Sequence, residues 1–175
     1  MFGNKEIGII TFSYNSDELF NDVGILSAYM AKSINIAAVD EFSVSDDEKD
    51  LYNVCVKQAL PNIYEAMLKI STGVDDAFND SAKVLKDETD GLFRKAGTYV
   101  ELSIEDNDAY NKNVLSIVEA TLSTCLKYGI LTEFYSIRLN ADLYALAKEK
   151  FNNSLYQLKQ RLFQLKKKTI SSQLD

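Results

Sequence analysis

The chain offers carboxylates, tyrosines and two cysteines as reactive groups, and it has no histidine at all. That absence excludes a great deal. Ser-His-Asp and Cys-His catalysis, histidine-ligated zinc and imidazole proton shuttling all require the missing side chain. Cys55 and Cys125 lie far apart in sequence, so a thiolate zinc site is excluded too; each reads as a small buried hydrophobe rather than half of a disulfide. Carboxylates, lysines and tyrosines remain as possible catalysts, and their spacing is uninformative. Asp46-Asp47-Glu48 is explained by helix capping. Asp106-Asn107-Asp108 opens like a calcium loop, but Tyr110 and Asn111 stand where that loop needs an oxygen ligand and a glycine. Asp75, Asp76 and Asp80 form no ligand pattern. No catalytic residue, cofactor site or metal site is expected, and the chain does not read as an enzyme.

The elements that would carry any function are those of a mainly α protein with a small antiparallel β-sheet, a helical bundle ending in a long C-terminal helix. At 175 residues, 46% hydrophobic, with one proline (Pro61) and no glycine- or serine-rich linker, the chain reads as one domain over 1–175. Apolar runs such as Ile7-Gly8-Ile9-Ile10 are too short to cross a bilayer, and Met1-Phe2-Gly3-Asn4-Lys5-Glu6-Ile7 lacks the features of a secretory signal. The expectation is an intracellular product with no membrane partner. On that basis the acceptor patterns at Asn79 and Asn152 are chance.

A short strand is expected over 5–14, then a helix capped by Ser16 with Asp17 and Glu18 in its first turn. Leu19, Val23, Leu26 and Met30 form its apolar face; Gly24 weakens it or admits a close neighbour. Ser45-Asp46-Asp47-Glu48 has the pattern of a capping box. The helix it opens carries Leu51, Val54 and Cys55, should kink or restart at Pro61, and continues through Ile63, Met67 and Ile70 to Gly73. Asp90-Gly91 signals a hairpin between Val84-Leu85 and Leu92-Phe93. Residues 98–104 alternate as a strand, with Val100, Leu102 and Ile104 on one face.

Asp106-Asn107-Asp108 should then cap a helix with the stripe Val114, Ile117, Val118, Thr121, Leu122 and Cys125, stopped by Gly129 and followed by a further turn or two. From Asn140 a long helix is expected to about Lys168. Its inner side is Tyr144, Ala147, Phe151, Leu155, Leu158, Leu162 and Leu165. The heptad steps last about two heptads, fewer than a coiled coil needs, so packing on its own domain is the simpler reading. Tyr156 and Phe163, seven residues apart, widen the apolar stripe beyond one face and suggest contact with a second body.

Charge is divided unevenly. Residues 148–175 hold seven basic and two acidic side chains, whereas residues 1–147 hold 12 and 24. Helix-dipole complementarity accounts for Lys166, Lys167 and Lys168. A nucleic-acid patch is a sharper reading, opposed by the overall charge of −7. An acidic body with a basic tail best suits packing between identical subunits, or docking on an acidic partner. Tyr156, Lys159, Phe163, Lys166, Lys167 and Lys168 are the candidate partner-binding residues.

The order of parts carries a resemblance. Val100-Glu-Leu-Ser-Ile-Glu-Asp-Asn-Asp108 is a strand ending in an acidic-Asn turn. Val114-Leu-Ser-Ile-Val-Glu-Ala-Thr-Leu122 through Tyr128 is an apolar helix, and a last helix runs from Asn140-Ala-Asp-Leu-Tyr144 to Leu158-Lys-Gln-Arg-Leu-Phe-Gln-Leu-Lys166. In this the C-terminal 40% or so of the chain resembles the head–tail connector proteins (neck ring or adaptor) of tailed bacteriophages. The resemblance implies a virion structural protein assembled in the host cytoplasm. Its identical subunits would form a ring, commonly twelve-fold, beneath the portal protein. That ring would join other neck or tail proteins around a channel through which genomic DNA passes without specific binding. An acidic lumen would repel the phosphates. The alternative is a small intracellular binding or regulatory module that contacts nucleic acid through its basic C-terminal helix.

Overall fold

The computed structural model describes residues 9–34, 39–71, 99–106 and 110–166. It is mainly α with a small antiparallel sheet: strand β1 (Ile9–Asn15), helix α1 (Ser16–Ser33), helix α2 (Lys49–Ser71), strand β2 (Tyr99–Glu105), helix α3 (Leu115–Ile137) and helix α4 (Ala141–Lys166). Short 3₁₀ turns at Val39–Phe42, Asp46–Glu48 and Lys112–Val114 join them.

β1 and β2 pair antiparallel, with Ile10 opposite Ile104, Phe12 opposite Leu102 and Tyr14 opposite Val100. These alternate residues share one face and pack inward, as a period of two requires. The strand expected at 98–104 is therefore present, and its partner is the N-terminal strand. The hairpin expected around Asp90-Gly91 lies outside the described residues.

α3 is the middle of the core. Val118, Leu122, Cys125, Leu126, Ile130, Leu131, Phe134 and Tyr135 are all buried, so the helix is apolar on most of its circumference. It packs most extensively on α4, then on α2 and α1. With the 3₁₀ turn before it, Lys112–Ile137 is the one stretch among the described residues long and apolar enough to cross a membrane, by length and composition only. In this fold the α1, α2 and α4 faces meet its apolar residues.

Several local expectations are corrected. Asn15, not Ser16, caps α1: its Oδ1 accepts from the amides of Asp17 and Glu18 at 2.9 and 3.1 Å, and Ser16 is the first helical residue. The capping box at Ser45 does not form, because Ser45 makes no side-chain cap bond and Glu48 turns to an ion pair with Arg138. Pro61 does not divide α2: the helix runs unbroken from Lys49 to Ser71, with Pro61 on its solvent face. Among the α2 residues named from sequence, Val54 is exposed, and Tyr52, Val56, Ala59 and Leu60 line the core instead. Asn111 caps the 3₁₀ turn Lys112–Val114 that leads into α3, its Oδ1 accepting from the Asn113 amide at 3.3 Å; of the triplet expected to cap the helix, Asn107 and Asp108 lie outside the described residues. Ile117 is exposed rather than part of the core stripe.

Gly129 is the sharpest reversal. It does not stop α3; the helix continues through it to Ile137. A Cβ at this position would lie 3.1 Å from the Phe151 ring of α4 and 3.3 Å from the Ala59 Cβ of α2. Glycine is there because three helices meet at that point. Gly24 plays the close-approach role expected of it, since a Cβ there would lie 3.0 Å from the Val44 carbonyl. The buried Ser27 hydroxyl beside it accepts from the Val44 amide at 2.9 Å and donates to the Gly24 carbonyl.

Candidate partner-binding face of the last helix

α4 is fixed at both ends before its outer face is considered. At its start the Asn140 Oδ1 accepts from the Leu143 amide at 2.9 Å, an N-cap bond. At its end the Leu165 carbonyl, one of the four that a helix C-terminus leaves without an internal partner, accepts from the Asn111 amide at 2.6 Å. Between these points Leu143, Ala147, Phe151, Ser154, Leu158, Leu162 and Leu165 are buried. The inner row thus includes Leu143 and Ser154, which sequence spacing passed over, while Tyr144 is exposed and Leu155 half-buried. Ser154 is tolerated inside because its hydroxyl donates to the Phe151 carbonyl at 2.8 Å.

The opposite face carries Tyr156 and Phe163, 64% and 59% exposed. Lys159 and Lys166 fall on the same side at helical spacing, so four of the six candidate residues are brought together on one strip. Lys167 and Lys168 lie outside the described residues. Lys166 is partly buried, and burial lowers its ammonium below the usual lysine range. Arg161 points along the helix, donating to the Gln164 Oε1 at 3.0 Å. Two aromatic rings and two lysines thus stand on the side of α4 away from its buried row.

Two further features were not read from the sequence. A mainly polar cleft of about 180 Å³ opens between α2 and α4, lined by Asn62, Glu65, Lys148, Asn152 and Lys159 around Ala66, Phe151 and Leu155. Lys159 therefore belongs to both the strip and the cleft. The only sequence signal for the cleft was the recurrence of Lys148, Asn152, Leu155 and Lys159 along one side of α4. The second feature is the turn joining α3 to α4. Its amide of Asn140 donates to the Tyr135 carbonyl at 3.2 Å, and that of Leu139 to the Ser136 carbonyl at 3.3 Å. That is a Schellman motif. Leu139 holds its left-handed position, φ 55°, and is 91% exposed.

Neither thiol is an activated nucleophile. Both cysteines are free and buried, and burial pushes Cys55 up to about 12 and Cys125 up to about 11. Tyr14, Tyr52 and Tyr135 are likewise pushed well above the ordinary phenol range, chiefly by burial. Among the described residues no group of three or more Cys, Asp or Glu is placed to hold a metal ion.

No protein-family model, no curated protein and no solved structure matches this chain.

Proposed function

We propose that the chain is a non-catalytic structural subunit that works through its surfaces, and specifically a head–tail connector or neck ring protein of a tailed bacteriophage. The observation that carries this reading is the outward strip of α4, where Tyr156, Lys159, Phe163 and Lys166 stand on a helix whose other side is fully used in the core. The strand–helix–helix order of β2, α3 and α4 supports the same reading through the resemblance described above. In it the subunits form a ring, twelve-fold by analogy, that meets the portal and other neck or tail proteins and surrounds DNA without gripping it. The subunit works in the virion neck after assembly in the host cytoplasm. It needs no cofactor, and α3 serves as a core helix rather than a membrane span.

Native mass spectrometry of the chain with a tailed-phage portal protein tests the proposal. A stoichiometric complex weakened by Tyr156→Ala and Phe163→Ala is the expected result; a strictly monomeric chain that never binds portal counts against it. The same strip supports a second reading, since exposed rings between lysines can stack on single-stranded bases. A salt-dependent mobility shift with an oligonucleotide, abolished by Lys159→Glu with Lys166→Glu, would favour that reading.

A further inference from the structure

We propose that the α3–α4 turn of one copy docks on the outward strip of α4 in a second copy, with Leu139 seated between Tyr156 and Phe163. The proposal names the partner of that strip, and it rests on the self-assembly part of the reading above.

The left-handed position of a Schellman turn suits glycine and, less well, asparagine; a β-carbon there is strained against the following carbonyl. Leu139 holds that position at φ 55° and stays 91% exposed, so no burial among the described residues offsets the strain. An apolar residue just beyond the left-handed position commonly steadies such a turn, but here that residue is Asn140, which caps α4. Ile137 and Tyr144 are also exposed, so the turn forms an apolar tip. The strip offers a seat for it. Tyr156 and Phe163 stand two helical turns apart, about 10 Å, a gap that takes one aliphatic side chain between the rings.

Charge selects the occupant. Three exposed carboxylates surround the tip: Asp142 in the first turn of α4, and Asp46 and Asp47, brought there by the ion pair of the next residue, Glu48, with Arg138. None of the three has an ion-pair partner among the described residues, and the neighbouring cations are engaged, Arg138 by Glu48 and Lys49 by Asp17. The strip is the opposite. α4 has no carboxylate from Phe151 to Lys166, and Lys159 and Lys166 stand beside the rings. Glu65 shares the α2–α4 cleft with Lys148 and Lys159, so even there cations outnumber carboxylates two to one. An apolar tip ringed by carboxylates and an aromatic strip set with lysines are complementary, and both belong to this chain. They cannot meet within one copy. α4 runs unbroken from Ala141, and Tyr156 lies about 22 Å along it from that start. The contact is therefore head-to-tail between copies, the kind that repeats until a ring closes.

The test uses the full chain. Sedimentation equilibrium should show self-association, weakened at least tenfold by Leu139→Asn while the melting temperature holds, since asparagine tolerates the left-handed backbone. Tyr156→Ala with Phe163→Ala should weaken it as much from the other side. At concentrations where wild type assembles, neither variant should associate alone. An equimolar mixture of the two should form dimers that grow no further, because one intact strip then meets one intact tip. Should either variant fail to fold, Leu139→Cys and Phe163→Cys chains mixed under mild oxidation read the same contact, and a mixed disulfide dimer is expected. Undiminished association of Leu139→Asn, a mixture as monomeric as its parts, or no mixed disulfide overturns the proposal. A wild-type chain that is monomeric to its solubility limit yet binds a tailed-phage portal protein also overturns it, while leaving the connector reading standing. A chain that does neither removes both.

Discussion

Gly129 and Leu139 lie ten residues apart along the same stretch of chain, and each holds the residue that sequence rules would assign to the other. A glycine stands in mid-helix, where its backbone freedom is a liability, and a leucine stands at the turn, where glycine is preferred. The difference separates two kinds of demand. At 129 the requirement comes from inside the fold, because the Phe151 ring and Ala59 leave no room for a Cβ. At 139 the leucine side chain is exposed among the described residues. A residue placed against local preference is explained by its neighbours at 129, and at 139 it stands exposed.

The largest effect expected from breaking this comparison lies in the interior near both sites. Phe134→Ala removes a fully buried ring between them and should cost about 3–5 kcal/mol, read from urea unfolding at constant m. Gly129→Val comes next. Overpacking at the crossing should cost about 1–3 kcal/mol, and Phe151→Leu in the same chain should recover part of it, a coupling that a double-mutant cycle measures.

The crossing can also be read by alkali. Cys55 is one turn from Ala59 and Cys125 one turn from Gly129, and both thiols ionise at higher pH in the folded chain than in the unfolded one. Their contribution is complete below the unfolded thiol value near pH 9. It should decline through the window from there to about 11–12, where the folded thiols ionise. Cys55→Ala with Cys125→Ala should flatten that decline, as thermal melts across pH would record. The smallest effect is expected at the turn: Leu139→Gly should leave stability within about 1 kcal/mol of wild type, in the stabilising direction or neutral, because relief of the left-handed strain offsets the backbone freedom glycine gives the unfolded chain. A large loss there would erase the contrast with Gly129.

Much of the architecture was legible where one periodic signal dominated. The alternation Val100, Leu102, Ile104 and, in α4, Ala147, Phe151, Leu158, Leu162 and Leu165 depend on repeated burial, and burial was found. Signals that depend on a single residue were read less well. Pro61 and Gly129 are both helix-breakers by propensity, yet the packing of Leu60 and Ile63, and of Phe151, outweighs them. At Ser45 the pattern suggested a cap, but it cannot show that Glu48 has Arg138 as a competitor, 90 residues on. Of the candidate strip, Tyr156 and Phe163 were singled out by their seven-residue spacing, and Lys159 and Lys166 by the basic character of the chain's last part. The cleft was not, because it needs α2 and α4 side by side, and no local pattern announces that.

The two-stranded sheet has a consequence for how the molecule is made. Ser13 meets Glu101 across 88 residues, so β1 must wait for β2 to be made before it has this strand partner. Closing so long a loop is slow beside the joining of α3 to α4, which are consecutive and separated by a three-residue turn. Until then the strand edge of β1 lacks its β2 hydrogen-bond partners, the condition in which an edge strand pairs most readily with another chain.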